Sequence, residues 1–281
     1  MLSLSPAQWA LAAVSAAGIG LSKTGIPGLG IVAVALFAIT MPSKESVGVV
    51  LPLLIVGDFI AVGTYRRHAV WSHLFLLVPW AAVGIVLGYF AMGHIDDSQI
   101  GHLIGALLIV LVVVQVWRQT IAEKEKAPAS ESSVTSTLVI GAQAGRGKAD
   151  STMAPTPSEE GLRPTNLPFA IVLGVLAGFS TMVANAAGPI MILYLLTMRL
   201  PKLEFIGTAA WYYMVLNLFK VPFSWHLGLI NSSSAPVDLV LAPFVIAGCI
   251  LGRVLLPRID QALFERLALG LTVIAALKLV L

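Results

Sequence analysis

The stretch GIGLSKTGIPGLG, residues 18–30, interrupts an apolar run with glycine, proline and polar side chains. A second interruption, GFSTMVANAAGP, occupies residues 178–189 and again lies between two apolar runs. Glycine and proline both disfavour the continuation of a helix. The two stretches, called the first and second break below, therefore predict a pair of short, broken or re-entrant helices at the start of each half of the chain.

Outward from the breaks, the two halves repeat a set of prolines and glycines at fixed spacing. The first-half members and their second-half mates are Pro42 and Pro201, Gly48 and Gly207, Pro79 and Pro243, Gly84 and Gly248, and Gly88 and Gly252. Asp58 aligns with Asn217 in the same register. Duplicated apolar units are typical of transporters. We expect two transmembrane repeats, residues 1–121 and 166–281, joined by a flexible linker at 122–165.

The composition indicates a membrane protein. Hydrophobic residues make up 58% of the chain and charged residues 11%, against about 25% charged in a soluble domain. Six apolar runs, at 47–64, 74–92, 100–117, 205–223, 237–256 and 263–281, are long enough to span a bilayer as helices. Shorter runs, at 9–21, 29–41, 167–179 and 190–198, flank the breaks in pairs. The predicted fold class is an all-α membrane protein.

The distribution of Lys and Arg predicts the orientation in the membrane, because cytoplasmic loops carry an excess of these residues. The linker is basic, Arg66 and Arg67 form a second basic loop, and residues 199–202 and 253–258 form two more. The loop at 225–236 has no Lys or Arg. This pattern places the linker in the cytoplasm and both termini outside. Each half then crosses the membrane an odd number of times, so the two repeats are expected to be inverted.

The breaks have the composition of an anion site. Pro27 and Pro189 are each predicted to begin the second helix of a pair, and helix N-termini offer free N–H groups and a positive dipole end to an anion. Hydroxyl and amide groups lie nearby. The predicted binding residues are Ser22, Lys23, Thr24, Gly25, Pro27 and Gly28 in the first break, and Ser180, Thr181, Asn185, Gly188 and Pro189 in the second.

Ionisable side chains inside membrane spans are costly, at about 2.5–3.5 kcal/mol each near a helix centre, so three of them are candidates for function. Lys23 is expected to lie close to a bound anion, or else in a plain loop. Asp58 is a candidate proton carrier, with its mate Asn217 as a non-titrating partner, or forms only a hydrogen bond between helices. Lys220 follows Asn217 by three residues and shares its helix face, where it either pairs with a carboxylate or attracts substrate.

A packing role is the simpler interpretation of many glycines, because small residues let membrane helices approach closely. This interpretation applies to Gly18, Gly20, Gly84, Gly88, Gly248 and Gly252.

Motifs for other classes of protein are missing from the sequence. The five histidines have no metal-ligand spacing, and the single Cys249 forms no disulfide framework. There is no phosphate-binding loop, dinucleotide-binding glycine pattern or nucleophile triad motif. We therefore expect no enzyme, no cofactor, no metal and no nucleic-acid partner.

The chain resembles the sulfite exporter TauE/SafE family of membrane permeases. The resemblance lies in the opening GIGLSKTGIPGLG, in PSKESVGVVLPLLIVGDFIAV at 42–62, and in the repetition of this layout after a central linker. It covers the chain apart from the linker. The resemblance implies a polytopic permease of the bacterial inner membrane for sulfite, sulfoacetate, another organosulfonate or a related carboxylate.

Combined with the predicted anion site, this resemblance favours export of a small sulfur-containing anion by alternating access. Two alternatives stay open: a permease for a small cation or neutral solute that binds at Asp58, and a membrane assembly protein without transport activity. The exact anion, the direction, protons as the coupling ion, the oligomeric state, and whether the short pairs span or re-enter also stay open at this point.

Overall fold

The structure is a computed structural model that describes residues 5–41, 43–94, 167–231, 234–264, 266–267 and 270. The linker at 122–165, Pro42, the apolar run at 100–117 and most of the run at 263–281 lie outside the described residues. The regular elements in the described part are helical throughout. The prediction of an all-α protein is confirmed for this part of the chain.

Eight α-helices are described, four before the linker and four after it. They are α1 (Pro6–Thr24), α2 (Leu29–Thr40), α3 (Ser43–Tyr65), α4 (Trp71–His94), α5 (Leu167–Ala184), α6 (Gly188–Thr197), α7 (Lys202–His226) and α8 (Ala235–Leu255). Short 3₁₀ turns, Arg66–His68 and Leu256–Arg258, follow α3 and α8. Four segments of the described chain are long and apolar enough to cross a membrane: Glu45–His68, Trp71–His94, Leu167–Ala184 and Ala235–Arg258.

The first helix of each broken pair is longer than the apolar runs predict. The α1 helix has 19 residues, a length of about 28 Å at 1.5 Å per residue, and α5 has 18 residues. In α1 the helix continues through residues 22–24, where Lys23 and Thr24 have hydrogen-bond partners on other helices. Thr24 Oγ1 donates to the carbonyls of Gly20 and Cys249, at 3.3 and 2.7 Å. The true interruptions are therefore only residues 25–28 and 185–187.

The two prolines do not occupy equivalent positions. Pro189 lies in the first turn of α6, as predicted. The same prediction for Pro27 is wrong, because α2 begins at Leu29 with Gly28 as its N-cap. Gly28 has a φ of +97°, which is outside the helical region and is accessible mainly to glycine. The helix can start only after this residue, so Pro27 belongs to the connecting turn.

Helix α3 and its repeat mate α7 pack in opposite directions. Gly48, near the start of α3, lies against the backbone of Leu229, just beyond the end of α7. Gly207, near the start of α7, lies against the backbone of Tyr65 at the end of α3. These two contacts, at opposite ends, fix an antiparallel pair.

Glycines form the two closest helix interfaces, α1 with α8 and α4 with α5. A Cβ atom added to any of four glycines would overlap a carbonyl oxygen of the facing helix: Gly20 meets Val245, Gly248 meets Ala17, Gly84 meets Val175, and Gly178 meets Ala81. Gly18, Gly88 and Gly252 likewise face side chains of a neighbouring helix. The prediction of a packing role is confirmed for the six glycines. In both interfaces the two helices run parallel, since residues later in one helix contact residues later in the other.

The buried apolar side chains form two main clusters. One is built from α1, α2, α3 and α8, and the other mainly from α4, α5, α6 and α7. Each cluster thus combines the first three helices of one half with the fourth helix of the other. This exchange brings the first and second breaks to the boundary between the clusters.

Candidate functional site

A cavity of about 70 Å³ lies between the two breaks. A cavity needs roughly 10–15 Å³ of such space to hold one water, so this one has room for on the order of five waters or one small ion. Its polar lining comes from Ser22, Lys23, Thr181, Asn185 and Asn217. The cavity is therefore lined by both halves of the chain.

The N-termini of the two short helices reach the same cavity. Gly28 and Gly30 line it from the start of α2, and Gly188 lines it from the start of α6. Neither N-terminus is capped by a side chain. Uncapped first-turn amides and the positive end of the helix dipole suit an anionic group.

Lys23 forms an ion pair with Asp58 at the cavity. The distance from Lys23 Nζ to Asp58 Oδ1 is 2.6 Å, and the side chains are 9% and 0% exposed. The other carboxylate oxygen, Oδ2, accepts a hydrogen bond of 2.6 Å from Asn217 Nδ2. Lys23 Nζ also lies 4.5 Å from the centroid of the Tyr213 ring. Both oxygens of Asp58 thus have a donor, one from each half, and Lys23 combines an ion pair with a cation–π contact.

Lys220 supplies a second cation, directly behind the second break. Its side chain is fully buried, and Nζ donates to the Thr181 carbonyl at 2.9 Å and to Thr181 Oγ1 at 3.3 Å. A third bond goes to Asn185 Oδ1. The sequence has a lysine within the first break and none within the second, and α7 carries Lys220 to the end of α5.

Asn185 has a backbone role that the sequence did not reveal. It ends α5 with a φ of +52°, in the left-handed region where Asn is tolerated better than most residues. Its Nδ2 donates to the Val47 carbonyl at 3.0 Å, while its Oδ1 accepts from Lys220. One side chain therefore connects the second break to α3 and α7.

The predicted binding residues separate into two groups. Ser22, Lys23, Pro27, Gly28, Thr181, Asn185 and Gly188 line the cavity, together with the predicted coupling residue Asn217. Thr24, Gly25, Ser180, Pro189, Asp58 and Lys220 do not contribute to its lining. Three members of the second group support the breaks: Thr24 bonds to α8, Gly25 packs on Gly252, and Ser180 Oγ donates to the Ala186 carbonyl at 3.2 Å.

The sequence analysis missed several residues of the site. Tyr213 lines the cavity and contacts Lys23, and its position four residues before Asn217 on the same helix face was a usable signal. Tyr65 donates from its hydroxyl to the Thr24 carbonyl at 2.8 Å. The apolar part of the lining, including Ile31, Leu54 and Phe205, looks like ordinary core in the sequence.

Metal ligands do not cluster within the described part of the chain, where no group of three or more His, Cys, Asp or Glu side chains comes together. The polar groups at the cavity are an ammonium, which only donates hydrogen bonds, and hydroxyls and amides, which both donate and accept them. Such a lining is suited to an anion more than to a metal cation.

Comparison with known proteins gives one match. No solved structure and no curated protein sequence matches the chain significantly. The family model described as sulfite exporter TauE/SafE matches residues 10–279, nearly the whole chain. Proteins of this family are membrane permeases, which agrees with the four apolar spans of the described helices. The chain therefore belongs to the sulfite exporter TauE/SafE family of integral membrane transporters.

Proposed function

We propose that this protein exports a small sulfur-containing anion, such as sulfite or an organosulfonate, through the cavity between the breaks. The observation that carries the proposal is the donor-rich lining of that cavity, where Lys23, Asn185 and two uncapped helix N-termini meet. The substrate-binding residues are those of both breaks, and Asp58, Asn217 and Lys220 form the coupling group beside them.

The proposed mechanism is alternating access between two inverted repeats. The antiparallel packing of α3 against its mate α7 supports inversion, as do the matched contacts of α1 with α8 and of α4 with α5. In this arrangement the first break enters from outside and the second from the cytoplasm. Rocking of one cluster against the other would expose the central cavity to either side in turn.

Export is the direction that the membrane potential favours for an anion. With the inside negative, each exported negative charge gains about 2.3 kcal/mol per 100 mV. We place the protein in the bacterial inner membrane, with the linker in the cytoplasm and both termini outside. Net uptake would require a coupled ion, for which Asp58 is the proposed proton carrier.

Transport by the purified protein in liposomes tests this function. We expect efflux of sulfite, thiosulfate or methanesulfonate that depends on anion identity and increases with an inside-negative potential. Efflux of methylammonium or urea in place of the anions would support the cation or neutral-solute alternative. If the folded protein transports none of these solutes, the result would support the alternative of a membrane assembly protein without transport activity. The dependence of flux on an imposed pH gradient tests the coupling role of Asp58.

Labelling of single cysteines tests the proposed topology. In a Cys249→Ala background, Ser233→Cys should react with a membrane-impermeant maleimide in intact cells, because the loop at 225–236 is expected outside. Ser132→Cys in the linker should react only after the cells are permeabilised. Equal labelling of the two in intact cells would contradict the inverted arrangement.

A further inference from the structure

The charged side chains beside the cavity do not cancel each other. Lys23 is neutralised by Asp58, its partner at 2.6 Å. Lys220 has three oxygen neighbours, the Thr181 carbonyl, Thr181 Oγ1 and Asn185 Oδ1, and all three are uncharged. An ion pair involving Lys220 is not found within the described part of the chain. Among the described residues, the two lysines and the one aspartate beside the cavity give a net charge of +1.

The hydrogen bonds of Lys220 are those of an ammonium group. An ammonium has three N–H donors and no acceptor, and Nζ has three oxygen atoms within bonding distance. Each of the three oxygens can accept one N–H of an ammonium. The geometry therefore fits the charged form.

One layer of side chains separates Lys220 from the cavity. Lys220 does not line the cavity itself, but Thr181 and Asn185, which it contacts, both do. The side chain is 0% exposed, so water screens its charge little and its field extends to the cavity.

We propose that the transported anion is the missing counter-ion of Lys220, and that its charge is therefore −1. This inference rests on the proposed function and narrows its substrate class to a monovalent oxyanion, such as a small sulfonate, hydrogen sulfite or a monocarboxylate. A monoanion brings the buried charge to zero. A dianion of similar size leaves one uncompensated negative charge in a poorly solvated site, which is costly.

The cavity adds a limit on size. Its volume of about 70 Å³ is suited to one oxyanion head with a short substituent. Ile31, Val34 and Ile192 form part of an apolar wall, against which a methyl or similar group can pack. A monovalent sulfonate presents both parts, an oxyanion head for the donors and an apolar end for the wall.

Binding of two anions of the same shape and different charge tests the inference. Methanesulfonate and sulfate are both tetrahedral, and they carry one and two negative charges. We expect the parent protein in detergent to bind methanesulfonate at least about tenfold more tightly than sulfate, since a charged contact is typically worth a tenfold effect or more. Isothermal titration calorimetry at low salt measures both dissociation constants.

Variants that change the net charge should change this preference in a defined direction. Lys220→Met lowers the net charge to zero and should weaken methanesulfonate binding by about tenfold or more. Asp58→Asn raises the net charge to +2 and should reverse the preference, so that sulfate binds more tightly than methanesulfonate. The two substitutions change the net charge in opposite directions, and a general loss of folding would not produce both expected results.

Two matched variants keep the charge and should keep the preference. Lys220→Arg retains the cation, and the double variant Lys23→Gln with Asp58→Asn removes one charge of each sign. Arg67→Gln, at an exposed turn, should leave the ratio of the two dissociation constants unchanged. If either charge-conserving variant prefers sulfate, the net charge is not what selects the anion.

The outcomes separate this inference from the function on which it rests. We call the proposal that the substrate carries one negative charge the charge rule. It is overturned if the parent protein binds sulfate as tightly as methanesulfonate, or if Asp58→Asn still binds methanesulfonate more tightly than sulfate. Anion transport measured in liposomes would still stand in that case. If no anion of either charge binds or is transported, the proposed function falls and the charge rule falls with it.

Discussion

Replacement of Asp58 by alanine is expected to destabilise the protein by about 3–5 kcal/mol, the range for breaking a buried ion pair from one side. The substitution removes the partner of Lys23 and the acceptor of Asn217 together. Both are largely buried, so water replaces neither bond fully. Cys249 is buried and is the chain's one cysteine. A thiol-reactive fluorophore that labels it on unfolding in detergent therefore measures the fall in Tm, which we expect to be roughly 10 °C.

A double variant separates the loss of the pair from the loss of packing. Lys23→Met combined with Asp58→Leu removes both charges, and an apolar replacement of a buried ion pair is often neutral or stabilising. We expect it to recover most of the loss and to stay about 1–3 kcal/mol less stable than the parent, because Asn217 Nδ2 still lacks its acceptor. Glu45→Ala, at an exposed position in α3, is the control and should change stability by less than about 0.5 kcal/mol. A double variant as unstable as Asp58→Ala would contradict this explanation.

Replacement of Gly178 by valine is expected to separate α4 from α5. A Cβ at this position would overlap the carbonyl oxygen of Ala81, and backbone moves less easily than a side chain. Overpacking a close interface costs typically 1–3 kcal/mol, and we expect a loss of about 3 kcal/mol because the obstacle is backbone. The same labelling of Cys249 measures it, since Cys249 lies in α8, away from this interface.

Gly63 provides the matched control for the same substitution. It also lies in a long helix, α3, and a Cβ there would have no neighbour within 4 Å. Gly63→Val should therefore leave Tm close to the parent value, because valine and glycine differ little in helix propensity. Equal loss of stability at Gly63 and Gly178 would mean that the contact with Ala81 does not explain the effect.

The breaks were predictable because they rest on local chemistry. Glycine and proline act on their own backbone, so GIGLSKTGIPGLG and GFSTMVANAAGP are recognisable without a structure. The packing role of Gly84 and Gly248 was predictable for a similar reason, since small residues four apart mark close helix contacts in membranes. The end of α1 was not predictable from the sequence. Lys23 and Thr24 lie in the helix with partners on other helices, Asp58 and Cys249.

The sequence by itself determined the class of this protein: its apolar spans, its two breaks and its family follow from composition, spacing and motif. The tertiary structure alone decided how the charges combine. Lys23 and Asp58 are 35 residues apart, and Lys220 meets Thr181 across 39 residues. Electrostatic interactions depend on distance in space and on burial, which no spacing in the sequence encodes. Folding therefore paired Lys23 of the first break with Asp58, and buried Lys220 among uncharged oxygen atoms.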